Sequence, residues 1–284
     1  MFRLVACLLL MAAMELPAME ITHRPAESRQ DQRVNYFIAL LALALEKTQE
    51  DHGPAHSKPY HEPLSQARAF EMVARGELDL VWSMASQERM NKVRAVPVPL
   101  LRGLLGYRVL LTHPDGAARF ERIRSLEALS ALTTIQGAGW PDVEVLRGNG
   151  LEVGTSTDYD GMFRMVMGQR VDYFPRSVAE VWPELKRHSP LDLTVVPGLA
   201  LYYPAPIYFF VHPDNTALAE RLETGLMRAV ADGAFEQLFR AQEEHRQALD
   251  FINRPGLRVL RLDNPLIPGF VPPRDPRLWL PQDR

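Results

Sequence analysis

Cysteine is almost absent from this chain. Of 284 residues only Cys7 carries a thiol, and it sits in the apolar stretch 5–14 near the amino terminus. If that stretch is removed, disulfide scaffolding, cysteine nucleophiles and thiolate-bound zinc are all excluded. Charge of one sign is lacking too: 32 basic residues face 35 acidic ones, for a net charge of -3. No nucleic-acid partner is expected from so even a balance. No apolar run approaches the roughly 20 residues that a membrane-spanning helix needs. A Gly-x-Ser-x-Gly elbow, a phosphate-cradling loop and a His-Glu-x-x-His helix are also missing, so common routes to hydrolysis and phosphoryl transfer have no sequence support, and no cofactor is expected. What remains is a chain with 46% hydrophobic residues, enough to build one or two packed cores.

The amino terminus is the first positive feature. Arg3 precedes the apolar stretch 5–14, and Leu16, Pro17 and Ala18 follow it as a small-residue cleavage site. This is the pattern of a secretory signal peptide, cleaved after Ala18, which predicts a soluble protein exported to the periplasm. The run from Leu4 to Cys7 mimics a lipoprotein box, but its apolar stretch follows the cysteine instead of preceding it.

Beyond residue 19, helical and strand patterns alternate. Glu20 to His23 reads as a strand and 32–48 as a helix with Phe37, Leu41, Ala44 and Leu45 on one face and Asp31 as its N-cap. The stretch 50–63, rich in Pro, His and Gly, reads as a loop. A helix over 65–75 and a strand over 78–82 come next. This helix-to-strand unit occurs twice, as FEMVARGELDL from Phe70 and as FRMVMGQRVDY from Phe163, with Phe, Met, Val and the aspartates Asp79 and Asp172 at matching spacing. Either a duplicated lobe or an ordinary α/β joint accounts for it. Alternation of this kind predicts α/β layers with largely parallel sheets. Two extended apolar segments, 107–112 and 202–211, flank a compact middle unit and suit a two-stranded hinge. The prolines after residue 255 predict an irregular tail.

The run VWSMASQERMNKVRAVPVPLLRGLLGYRVLL, residues 81–111, resembles the signature region of the family 3 extracellular solute-binding proteins, which serve amino-acid ABC transporters. The resemblance implies an α/β, two-lobed, type II periplasmic-binding fold: lobe 1 over 19–111 and 204–255, lobe 2 over 112–203, and a tail over 256–284. It also implies the site. Arg89 matches the family arginine that pairs with the ligand carboxylate, a task suited to a planar fork of donors. Ser83 and Ser86 share its turn, although the family serine five residues before the arginine is Met84 here. Gly137, Ala138 and Gly139 match the loop whose amides receive the ligand's anionic end at a helix N-terminus. Ser177 stands where the family carries an aspartate for the ligand's amino group, with Arg176 beside it. If Arg89 and Arg176 face each other across the cleft, the ligand is more anionic than a zwitterion. Trp82, Trp140 and Tyr173 are the aromatic candidates for the pocket wall.

The function expected is therefore capture of a small anionic or amino-acid-like ligand by a monomer working with an inner-membrane ABC permease. Two alternatives share the fold: ligand sensing for a membrane signalling protein, and catalysis like that of periplasmic dehydratases, for which Glu180 is the best-placed acid or base. The cluster His52, His56, His61 and Glu62 matches no metal-binding spacing and reads as a solvated loop, so no metal is expected.

Overall fold

The computed structural model describes residues 18–26 and 33–281. The signal peptide over 1–18, apart from Ala18, and the N-cap Asp31 lie outside the described residues. Two sheet-centred lobes make up the molecule. In the first, strands β1 (Met19–His23), β2 (Ala55–Pro59), β3 (Leu80–Met84), β4 (Arg94–Val96) and β10 (Ile207–Val211) are ordered β2-β1-β3-β10-β4. β1 runs parallel to β2 and β3, and the late strand β10 is antiparallel to β3 and β4. The helix Arg33–Glu46 buries Leu40, Leu41, Ala44 and Leu45 in the same core as Leu222 and Leu226 of the helix Thr216–Asp232. Gly233, at a φ of 85°, ends that helix in the left-handed conformation and turns the chain into the helix Ala234–Ala241.

The second lobe holds β5 (Tyr107–Thr112), β6 (Thr133–Gly137), β7 (Glu152–Ser156), β8 (Phe174–Ser177), β9 (Thr194–Tyr202) and β11 (Arg258–Arg261). Four of these form a sheet ordered β11-β9-β5-β8, and the parallel pair β6-β7 joins it through the bridge between Thr134 and Tyr173. The repeated sequence unit has a physical counterpart here. Phe70, Val73, Phe163 and Val166 are all buried on helices, Gln66–Ala74 and Tyr159–Met167, that lead toward β3 and β8. Asp79 accepts from the backbone N–H of Thr22 at 2.7 Å and from its hydroxyl at 2.6 Å, tying the start of β3 to β1. Asp172 does the same for Thr133 of β6, at 2.8 and 3.1 Å.

Four expectations need correction. The sheets are not largely parallel: β10 runs antiparallel to β3 and β4, and β5 antiparallel to β8 and β9, as strands that return from the other lobe or pair with such a strand must. Residues 50–63 are not simply a loop: Gln49–His52 is helical and Ala55–Pro59 is the edge strand β2, a position where a terminal proline is tolerated because its missing N–H faces no partner. Residues 107–112 lie wholly within the second sheet, so the first crossing between lobes falls before them, near 98–106, while the return crosses at 203–206. The tail is not wholly irregular, because Arg258–Arg261 precedes its proline-dense part and pairs in parallel with β9. Among the described residues no helix is long and apolar enough to cross a membrane.

Candidate functional site

A cavity of about 210 Å³ opens between the lobes. The first lobe lines it with Arg24, Phe37, Gln66, Trp82, Ser83 and Met84, and the second with Trp140, Pro141, Asp142, Arg176 and Glu180. Leu105, Arg108 and Ile207, close to the two crossings, complete the lining.

The first-lobe wall grows from the end of β3. Trp82 stacks on Phe37 with ring centroids 5.4 Å apart and planes at 23°, giving a flat apolar face. One turn later Ser86 accepts from the Arg89 backbone N–H at 3.2 Å and so caps the helix Gln87–Lys92. The Arg89 guanidinium lies outside the cavity lining, behind Ser83 and Gln66. It donates to Ser83 Oγ, the Met84 carbonyl and Gln66 Oε1, each at 2.7 Å, and its back lies 4.7 Å over the Phe70 ring. Among the described residues no carboxylate pairs with it, and burial holds its pKa below the ordinary arginine value.

The second-lobe wall treats its arginines differently. Arg176, on β8 and only 4% exposed, donates from Nε to Glu184 Oε2 at 2.8 Å and from Nη2 to Oε1 at 2.5 Å, with Glu180 Oε2 at 3.3 Å. The rings of Trp140 and Phe174 flank it at 5.0 and 5.1 Å. Burial alone would depress its pKa, but the two glutamates carry it well above the ordinary value. Arg108, equally buried, meets Asp142 Oδ1 at 2.8 Å and donates to the Tyr203 hydroxyl at 2.8 Å, while Tyr203 donates to Asp142. Arg176 is thus neutralised within its own lobe and does not form an opposed pair of cations with Arg89. Glu180 and Glu184, four and eight positions further along the chain, supply the carboxylates.

The remaining predicted residues fall into three places. Ser83, Trp82 and Trp140 line the cavity. Gly137 lies beneath the Trp140 indole, where an added Cβ would come within 2.3 Å of the ring, so this glycine seats a tryptophan. The Ala138 N–H donates to the Ser156 carbonyl and the Trp140 N–H to that of Gly137, so those two amides of the loop, on either side of the exposed Gly139, are already engaged. Ser177 is buried and accepts from the Ala179 N–H, and Tyr173 packs edge-on against Phe120 in the second-lobe core; neither lines the cavity. Ser86 acts as a helix cap. The sequence reading missed Arg24, Gln66, Arg108 and Asp142. Asp142 carried a faint signal, an acidic residue in the first turn after a glycine loop. Arg108 carried none, because its partner lies 34 positions away.

No protein-family model matches the chain, and no curated protein does. Solved structures do. An ancestral arginine-binding protein bound to arginine matches with a TM-score of 0.58 at 15% identity, over 80% of this chain and 98% of its own. The periplasmic binding protein of Salmonella typhimurium with high arginine specificity matches with a TM-score of 0.54 at 15% identity, over 82% and 98% of the two chains. A histidine kinase sensor domain similar to periplasmic binding proteins gives a TM-score of 0.57 at 15% identity, over 80% and 96%. At such identity the likeness establishes architecture. The chain has the two-lobed fold of the periplasmic binding proteins, with its cavity between the lobes.

Proposed function

We propose that this protein captures a small amino-acid-like solute between its lobes, in the periplasm, for delivery to an ABC-type importer. The observation that carries the reading is the polarity of the cavity. Its first-lobe wall offers hydrogen-bond donors, the Ser83 hydroxyl, the Gln66 amide and Arg24, whereas behind its second-lobe wall the carboxylates Asp142, Glu180 and Glu184 outnumber the arginines Arg108 and Arg176 they pair with, leaving that wall acidic. A ligand with an acceptor at one end and a cationic donor at the other matches both walls. With Arg176 already paired, a zwitterion fits better than the purely anionic ligand expected from sequence. A volume of about 210 Å³ lies below the range of drug-sized sites, which begins near 300 Å³, and suits a single amino acid. Similar structures that bind arginine support the same class.

The sensor-domain neighbour favours a second reading, in which the same capture signals to a membrane kinase. Calorimetric titration with the twenty L-amino acids tests the shared step. One of them should bind, be recovered with unchanged mass, and at 100 times its dissociation constant raise stability by about 2.7 kcal/mol. Turnover of the bound compound would move the protein to the dehydratase-like class, and binding by none would sink the amino-acid reading. Periplasmic protein should begin at Met19 by mass spectrometry.

A further inference from the structure

We infer that Arg89 is a positioning residue that acts through Ser83 and Gln66 and does not touch the ligand; the inference rests on the capture function proposed above. A guanidinium has only donors. Because Arg89 donates to Ser83 Oγ, the serine's own proton must point elsewhere, and Ser83 lines the cavity. Because Arg89 donates to Gln66 Oε1, the half of that amide left for the cavity is its NH₂. The third bond, to the Met84 carbonyl, and the Phe70 ring behind fix the fork in place. One half-buried cation therefore turns two amphoteric side chains into obligatory donors, and the wall selects a ligand carboxylate over a carboxamide. Lysine has three donors, but on a single nitrogen, and cannot place them at the separate positions that Nη1 and Nη2 occupy against Ser83 and Gln66.

The test uses the full chain. The twenty L-amino acids and the carboxamide of the tightest binder are titrated into wild type, Ser83→Ala, Arg89→Met, Arg89→Lys and the double variant Ser83→Ala/Arg89→Met. Arg89→Met should cost about tenfold in affinity, one hydrogen bond to a charged ligand, and Arg89→Lys should not restore it. The double variant should lose clearly less than the product of the single losses, and preference for carboxylate over carboxamide should shrink in each. Should Arg89→Met fail to fold, Gln66→Ala reads out the same preference. Multiplicative losses, or a carboxylate preference that survives Ser83→Ala and disappears only with Arg89, would mean direct contact and overturn the inference. No binding to wild type would overturn the capture reading itself.

A separate set of contacts carries a second proposal: residues 258–281 clamp the hinge. The segment follows the return crossing, with the Leu262 N–H donating to the Tyr202 carbonyl at 2.8 Å and the Asn264 amide to that of Pro204 at 2.7 Å. It then passes to the first lobe, where the Leu266 carbonyl accepts from the Gln87 N–H at 2.7 Å and Ile267 joins the cluster of Phe70, Tyr208 and Phe210. Finally it reaches the other crossing. Arg102 donates to the Pro276 carbonyl at 2.6 Å, the Leu280 N–H donates to the Arg102 carbonyl at 3.0 Å, and the Trp279 indole covers Gly103 so closely that an added Cβ would lie 2.4 Å from it. Arg102 and Gly103 are consecutive left-handed residues, at φ 51° and 78°, where a rotation between lobes would be absorbed.

Paired spin labels on Arg68→Cys and Glu127→Cys in a Cys7→Ser background report the lobe separation. The intact protein should give one narrow distance distribution, and both Trp279→Ala and truncation after Leu257 should add a longer component. Trp279→Ala keeps the chain whole should the truncated form not fold. Identical distributions in intact and altered chains would show that the segment does not restrain the hinge.

Discussion

In the first lobe Arg89 donates to three neutral oxygens and meets no carboxylate among the described residues, whereas in the second Arg176 and Arg108 are each tied to carboxylates of their own lobe. Depth alone does not decide it: Arg176 and Arg108 are 4% and 3% exposed, yet Arg221 of the first lobe, also 3% exposed, is held by the Thr48 hydroxyl and the Gly53 carbonyl, so a buried guanidinium needs its donors satisfied and the local packing sets whether a carboxylate does it. The comparison teaches that an arginine near a cleft is a ligand group only if its own lobe leaves it one open face.

Glu184→Gln breaks the contrast most directly, since Arg176 would lose the bidentate acceptor that holds it in the interior. Removing one partner of a buried pair costs about 3–5 kcal/mol. Urea unfolding should show that loss; a loss below about 1 kcal/mol would mean that Glu180 alone can hold the cation.

The first lobe has its own buried titratable group. His245, packed among Tyr36, Phe239 and the Phe239 carbonyl, has its pKa lowered by burial to about 4. The ordinary value is 6.5. Between those values the unfolded chain binds the proton and the folded one does not, so stability falls as pH drops from about 6.5 to 4, by up to about 3 kcal/mol. His245→Phe should flatten that part of the stability profile, measured by denaturant midpoint at constant ionic strength. An unchanged slope would assign the acid sensitivity to other groups, among them His23 and His188, whose pKa values burial also lowers. The paired arginines of the second lobe stay charged across this range.

A gentler test separates the two glycines of the loop before Trp140. Gly137→Ala drives a methyl into the indole and should cost about 1–3 kcal/mol while shifting Trp140 away from Arg176. Gly139→Ala meets no atom within 4 Å and carries only the strain of a φ of 77°, about 1 kcal/mol. Ligand affinity should fall in the first variant and hold in the second; equal effects would mean that the loop's backbone, and not the indole, matters. Smallest of all, His56→Ala touches only an exposed contact with Glu20 at 3.5 Å and should change stability by less than about 0.5 kcal/mol, with no metal response in isothermal titration.

Much of the fold was legible because helix and strand periods and caps are local. Ser65, Ser125 and Asp158 cap helices beside them in sequence, and the repeated Phe-Met-Val-Asp spacing announced two similar joints. The edge strand Ala55–Pro59 was hidden by residues typical of loops, since an edge position makes few demands on its side chains. Of the site, Trp82, Ser83 and Trp140 were legible as cavity residues, whereas Tyr173 and Ser177 were drawn inward by strand pleating that a one-residue difference in register decides.

By itself the sequence determined the alternation of helix and strand and the aspartates that follow each repeated helix, because these depend on spacing along the chain. Only the tertiary structure decided what those residues meet. Asp79 finds Thr22 at a distance of 57 positions, Asp172 finds Thr133 at 39, and Arg108 finds Asp142 at 34. A buried charge or donor must be satisfied, but which partner satisfies it is set by how sheets and helices pack, and that information is absent from local spacing.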